Sequence, residues 1–336
     1  MYIIVALLVL GLLITIHELG HFIMAKANNV KVEEFSIGMG PELKKIQGKE
    51  TQYSIRLFPI GGYVKMYGEE EDTGDPRAFM SKKPLQRISI VAAGVIMNFL
   101  LAIFLFSMVT LANGYVKPNI SEVVANSPAE AAGLKPGDII TEVNSNKVWT
   151  FSDLSLHVFI SEGNPVEIKY TRQGKDYKAT ITPAFNKDEA AYQIGVAPTL
   201  EEKPGIGESL SEGFKKSVST INQVVYSIKT IFAGKASLND VGGPVSIIRI
   251  SGAAAKAGIW NLLSLAAMLS VQLSIFNLIP FPALDGGWLL FLLIELITRR
   301  KVSDKIVQAA NLVGISILFL LMILVTIKDI LFPIAL

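Results

Sequence analysis

Residues 88–116, ISIVAAGVIMNFLLAIFLFSMVTLANGYV, contain no Asp, Glu, Lys or Arg, and nothing else in this 336-residue chain restricts its fold as strongly. About 20 apolar helical residues cross the roughly 30 Å hydrocarbon layer of a bilayer, and this run exceeds that length. Residues 306–327 are equally uncharged, and residues 1–25 carry only His17, Glu18 and His21 as ionisable side chains. A fourth stretch, 259–298, is too long for one simple crossing and is interrupted by Pro280 and Pro282. It predicts a discontinuous helix whose irregular part is buried among its neighbours, because backbone polar groups facing lipid go unsatisfied. With 51% hydrophobic residues, the chain reads as a polytopic α-helical membrane protein with four transmembrane helices, the third one broken.

Composition removes several alternatives. A net charge of +2, with cations interspersed among acids, gives no stripe for nucleic acid. No cysteine is present, so any metal must be held by His, Asp or Glu. The first residues carry no basic segment and no A-x-A-like cleavage site follows, which predicts a retained helix rather than a signal peptide. Lys26 and Lys31 follow the first span, Lys82, Lys83 and Arg87 precede the second, and Arg299, Arg300, Lys301 and Lys305 separate the last two. By the positive-inside rule these flanks are cytoplasmic, and both termini and the region from 117 to 258 are extracytoplasmic.

The expected organisation is a first transmembrane helix over 1–25 and a cytoplasmic loop over 26–87. A second helix covers 88–114, a small α+β domain 115–186 and an extracytoplasmic linker 187–258. The broken third segment covers 259–298 and the fourth helix 306–332. Short strands punctuated by Ser127-Pro128, Lys135-Pro136-Gly137-Asp138 and Arg172-Gln173-Gly174 define the α+β domain. In the linker, Phe214, Val218, Ile221, Val225, Ile228 and Phe232 recur at helical spacing. That predicts an amphipathic helix lying along the membrane or docked against the domain. In the cytoplasmic loop, Tyr53, Ile55 and Leu57 alternate with polar residues before Pro59 and the Gly61-Gly62 pair, predicting a β-hairpin at about 49–67. Glu69, Glu70, Glu71 and Asp72 then read as a solvated loop.

The chemistry centres on HELGH, residues 17–21. On a helix His17 and His21 stand at i and i+4, one turn apart on one face, close enough to share a zinc ion. In an H-E-x-x-H motif the glutamate, here Glu18, is not a ligand but a base that takes a proton from the water the metal activates. Two histidines and a glutamate in hydrocarbon cost several kcal/mol unless ligated, paired or wetted, so their setting favours a functional role over capping or pairing within a bundle. A catalytic zinc takes about three protein ligands. His157 lies in the exterior domain, and Glu295 lies at the cytoplasmic end of the third span. Asp285, just past the proline break, is the better candidate, with helix capping as its alternative role. Asn277 precedes the break and could bond a peptide carbonyl or satisfy freed backbone groups. Asn98 is a lone amide in the second span that could join helices.

These motifs together resemble the site-2 protease family of intramembrane zinc metalloproteases, in particular its bacterial branch of the regulator of sigma-E protease type. HELGH is similar to the family's H-E-x-x-H, NLIPFPALDG to its N-x-x-P-x-P-x-L-D-G and GVIMN to its G-x-x-x-N. FPIGGYVKMYGE resembles the branch's membrane-associated β-hairpin, and SLNDVGGPVSI the region before its third span. The resemblance implies one Zn2+ per chain, held by His17, His21 and Asp285, with Glu18 as base and Asn277, Asn98, Gly61 and Gly62 contacting substrate. It further implies that 115–186 is a PDZ domain, one where branch members carry two in tandem, which either grips peptide C-termini or acts as a size filter at the entrance. Implied substrates are single-span transmembrane proteins such as anti-sigma factors, or remnant signal peptides, in a bacterial cytoplasmic membrane. A substrate helix must unwind before attack, and an edge strand of the hairpin could hold it extended. Two other classes stay open on the residues alone. One is a catalytically silent scaffold recruiting partners through the exterior domain, which has no need of Glu18. The other is a metal transporter, for which broken helices in two corresponding halves would be expected.

Overall fold

In lipid only a helix satisfies every backbone N–H and C=O within a single segment, so long uncharged runs have little choice of structure. A computed structural model describes residues 2–69, 73–187, 189, 191–234 and 242–333. It contains four helices long and apolar enough to cross a membrane: Ile3–Ala27, Pro84–Asn113, Ile259–Leu278 and Lys305–Leu331. They coincide with the four apolar stretches of the sequence. Glu70, Glu71 and Asp72 of the acidic run, and residues 237–241 of SLNDVGGPVSI, lie outside the described residues.

In chain order the elements begin with α1 (Tyr2–Ala27), β1 (Val32–Gln47), β2 (Gln52–Met66) and α2 (Pro84–Asn113). Next come β3 (Tyr115–Val123), α3 (Pro128–Ala131), β4 (Ile139–Val143), β5 (Asn146–Lys147), α4 (Phe151–Phe159), β6 (Val166–Arg172) and β7 (Lys175–Ile181). They are followed by β8 (Ala184–Asn186), β9 (Ala191–Gln193), β10 (Val196–Glu201) and α5 (Ile206–Phe232). The chain closes with α6 (Pro244–Ala257), α7 (Ile259–Leu278), α8 (Asp285–Thr298) and α9 (Asp304–Leu331). Two compact units result, one formed by 1–102 with 229–336 and the other by 103–228.

In the first unit α1 and α2 cross closely. A Cβ on Gly20 would stand 2.4 Å from the Ala93 carbonyl oxygen, so only glycine admits this approach. Between α7 and α8 the chain cannot continue as helix, since Pro280 and Pro282 lack the N–H a helix needs. Tight turns replace it, with Phe281 N donating to Ile279 O at 2.7 Å and Leu284 N to Phe281 O at 3.1 Å. The expected hairpin at 49–67 proves to be half of a larger sheet that starts at Val32. Ile37 and the residues before it pair on one side with Gly62–Met66 and on the other with Gln52–Ile55, which in turn pairs with Glu42–Gln47. Arg56 binds the sheet together, donating to Glu34 at 2.8 Å and to the Tyr63 hydroxyl at 2.6 Å. Burial works to raise the Glu34 carboxyl, yet hydrogen bonds from Arg56 and Ser54 hold it below its usual value. Beneath the sheet, Val30, Val32, Phe79, Ile90 and Leu292 form a buried apolar cluster.

In the second unit the sheet order is β10-β3-β4-β6-β7, with β5 on β4. Because β10 pairs along β3, this sheet continues past residue 186 to Glu201. Its core gathers Ile120, Ile140, Leu154, Val166, Ile168 and Ile181, each worth about 1.5–3 kcal/mol on burial. Helix α5 docks through its small and polar face. Ser219 donates to the buried Asp153 at 2.6 Å, and a Cβ on Gly213 would stand 2.1 Å from Ser107 Oγ. Its apolar residues Phe214 and Phe232 stay exposed.

Candidate metal centre

One turn of α1 sets His17 and His21 on the same buried face, with their Nε2 atoms 3.1 Å apart. The proline break brings Asp285, at the start of α8, against the same point. Its Oδ2 lies 2.9 Å from His17 Nε2 and 3.5 Å from His21 Nε2. No side-chain cap holds the N-terminus of α8, so the carboxylate is turned to the histidines and not to its own helix. Ligand atoms around a tetrahedral zinc at about 2.0–2.1 Å stand roughly 3.3 Å from one another, and this triangle has that size. It is the group of three among the described residues that could hold a metal ion.

Proton positions make the same point. His21 Nδ1 lies 2.9 Å from the Ile90 carbonyl oxygen, which can only accept, so Nδ1 carries the hydrogen and Nε2 offers a lone pair. Asn98, in α2, has no exposed surface and places its side-chain amide 3.3 Å from His17 Nδ1. Amide oxygen and nitrogen are interchangeable in shape. With the oxygen toward His17, the otherwise unpartnered buried Oδ1 accepts from Nδ1–H, and His17 Nε2 also presents a lone pair. Two imidazole nitrogens and a carboxylate oxygen then converge on one point inside an apolar bundle, the disposition of donor atoms that a shared cation would take.

Gly94 provides the room. A Cβ there would lie 2.6 Å from His21 Nε2 and 2.7 Å from His17 Cε1. Glu18 sits beside the sheet, where its Cγ would be 3.7 Å from a Cβ on Gly62 and the Val64 backbone N–H bonds its carboxylate. A cavity of about 220 Å³ opens on Glu18 and the three ligand candidates, walled by Val64, Met66, Phe79 and Trp288.

The other expected residues divide. Asn277 Nδ2 stands 3.5 Å from His17 Nε2, at the edge of the cluster. Asn98 is fully buried, with its amide against His17. Gly61 has φ +85°, and a Cβ there would meet the Met39 side chain. Glu295 pairs instead with the buried Arg87 at 2.5 Å. His157 lies in α4 of the second unit, where burial lowers its pKa. The Ile90 carbonyl and the Val64 amide escape sequence reasoning, since backbone groups leave no mark in residue type. Gly94 leaves one, as the glycine four residues before Asn98.

A family model described as Peptidase family M50 matches residues 5–321. A protein of Clostridium acetobutylicum named "Putative zinc metalloprotease" is 48% identical over 99% of this chain and 98% of its own length. Relatives of the same name from Clostridium perfringens and Campylobacter jejuni are 45% and 34% identical, covering 99% and 96% of this chain and 100% and 91% of their own. Among solved structures, the PDZ domain of an SdrC-like protein from Listeria monocytogenes is 26% identical. It covers 25% of this chain and 87% of that domain, with a TM-score of 0.23. The matches over the whole length, together with four apolar helices, place the chain among membrane zinc metalloproteases. More particularly, it belongs to peptidase family M50, the site-2 protease family.

Proposed function

We propose that the protein hydrolyses peptide bonds within the transmembrane segments of other proteins, with one zinc held by His17, His21 and Asp285. The observation that carries this reading is the convergence of three electron-rich ligand atoms inside apolar helices. Bound zinc would polarise the scissile carbonyl and bring the pKa of a water to about 7. Glu18 takes the proton of the attacking water on its carboxylate and returns it to the leaving amine. The Val64 N–H steadies that carboxylate between the two transfers. Asn277 donates its amide to the carbonyl oxygen of the bound peptide. Asn98 and the Ile90 carbonyl keep both imidazoles in the tautomer that leaves Nε2 free.

The sheet supplies the substrate's track. Gly62–Met66 is an edge segment, and Val64 and Met66 line the cavity that Glu18 faces. A locally unwound substrate adding to this edge passes beside Glu18, and Gly62 lets its backbone approach. Unwinding favours helices carrying Gly, Ser or Pro near the cleavage point. Single-span proteins and remnant signal peptides meet that requirement in a bacterial cytoplasmic membrane, with the termini and a PDZ domain on the exterior side. The test is cleavage of a single-span protein in liposomes, with the cut located by mass spectrometry. A cut inside the span supports the reading, and cuts confined to the water-exposed flanks overturn it.

A further inference from the structure

The carboxylate of Asp285 reaches the histidines only because the six residues before α8 fold back tightly. At the tip of that segment Ala283 has φ +75°, a left-handed conformation that residues with a Cβ rarely adopt and that something must hold in place. The hold comes from α9. Asn311 Oδ1 accepts a hydrogen bond from the Ala283 backbone N–H at 3.1 Å. One turn further along, a Cβ on Gly314 would lie 2.4 Å from the Pro282 carbonyl oxygen, so the α9 backbone rests directly on the segment. The rest of α9 is largely exposed apolar surface, as at Leu312, Val313, Ile315 and Phe319. Among these exposed apolar neighbours the half-buried Asn311 turns its side-chain oxygen to the segment. Losing Asn311 removes the side-chain partner of the Ala283 N–H and leaves the strained turn without this support.

We infer that Asn311, supported by the close packing of Gly314, is a positioning residue that fixes the turn at Pro282-Ala283 and through it the Asp285 carboxylate at the metal cluster. The inference rests on the proposed zinc site. It predicts that zinc affinity depends on a side chain of the last helix that touches neither metal nor substrate. Loss of a supporting hydrogen bond behind a metal ligand costs about 10–100-fold in affinity, and the Asn311 bond acts two residues from the ligand.

The test compares the full-length parent with Asn311→Leu, Asn311→Asp and Gly314→Ala in detergent. It measures zinc affinity by chelator competition, the visible spectrum of the cobalt-substituted protein, and the melting temperature of the metal-free form. Asn311→Asp keeps an acceptor oxygen and is expected to hold zinc within about threefold of the parent. Asn311→Leu and Gly314→Ala are expected to lose about 10-fold or more, with a changed cobalt spectrum. Parent-like affinity and spectrum in folded Asn311→Leu overturn the inference, even if its melting temperature falls. Should Asn311→Leu not fold, parent-like affinity in Gly314→Ala overturns it instead. A parent that binds no zinc overturns the metal-site reading itself, which separates the two failures.

Discussion

Replacing Gly94 by alanine adds one methyl group against the ligand-bearing edge of both imidazoles. That Cβ would stand 2.6 Å from Cε1 and Nε2 of His21 and 2.7 Å from Cε1 of His17, whereas ordinary contact begins at 3.4 Å. The α2 backbone is locked against α1 at Gly20, so the rings must yield, His21 by about 0.8 Å and His17 by about 0.7 Å. Metal–ligand distances tolerate about 0.2 Å, so a shift of this size exceeds what one zinc can bridge and zinc affinity should fall at least about 100-fold. In the metal-free protein the imidazoles are held only by single hydrogen bonds to Ile90 and Asn98 and can shift, and alanine is the better helix former by about 1 kcal/mol, so its melting temperature should stay near the parent's. Zinc content after dialysis and chelator competition, beside a thermal melt of the metal-free form, separate the two effects. A Gly94→Ala variant that holds zinc within about threefold of the parent refutes the packing argument. So would equal losses in affinity and metal-free stability.

Further predictions concern the scaffold. Glu295→Ala leaves the buried Arg87 guanidinium unpaired and should cost about 3–5 kcal/mol, read from denaturant or thermal unfolding. In the second unit Asp138 is buried, which works to raise its pKa, but Arg172 grips both oxygens and the Lys135 N–H adds a bond, so the folded value lies below the usual carboxylate range. Its stabilisation is therefore present above the unfolded value of about 4 and is lost as pH falls through the folded one. Asp138→Asn should lower the melting temperature at pH 7 and flatten the loss seen below about pH 4. Zinc binds only the folded chain, so chelation should lower the melting temperature and re-added zinc should restore it.

Local pattern carried much of this fold. Four uncharged runs needed no tertiary information, because lipid forces them into helices. His17, Glu18 and His21 were legible from the i, i+4 spacing, and Asp285 from a proline break in a buried span. What local pattern could not carry is pairing across distance. The strand from Val32 has its partners at Gly62–Met66 and Gln52–Ile55, and nothing near Val32 announces them. Likewise β10 closes a sheet begun at Tyr115, past the expected boundary. For Asn98 residue chemistry leaves two roles open, joining helices or the substrate contact that the family resemblance implies, since an amide in a span suits a neighbouring helix and a ligand equally. Its neighbour His17, 81 residues away in sequence, is visible only in the fold. Asn311 left no signal because its partner is a backbone N–H.

The central claim is that Glu18 moves the proton while His17, His21 and Asp285 hold the metal. Glu18→Gln removes the base and leaves the ligands, so zinc content and cleavage of a single-span substrate in liposomes should be measured together on this variant and the parent. About one zinc per chain is expected in both, with cleavage by the parent alone. Undiminished cleavage by Glu18→Gln, or a parent that cleaves while binding no zinc, would contradict it.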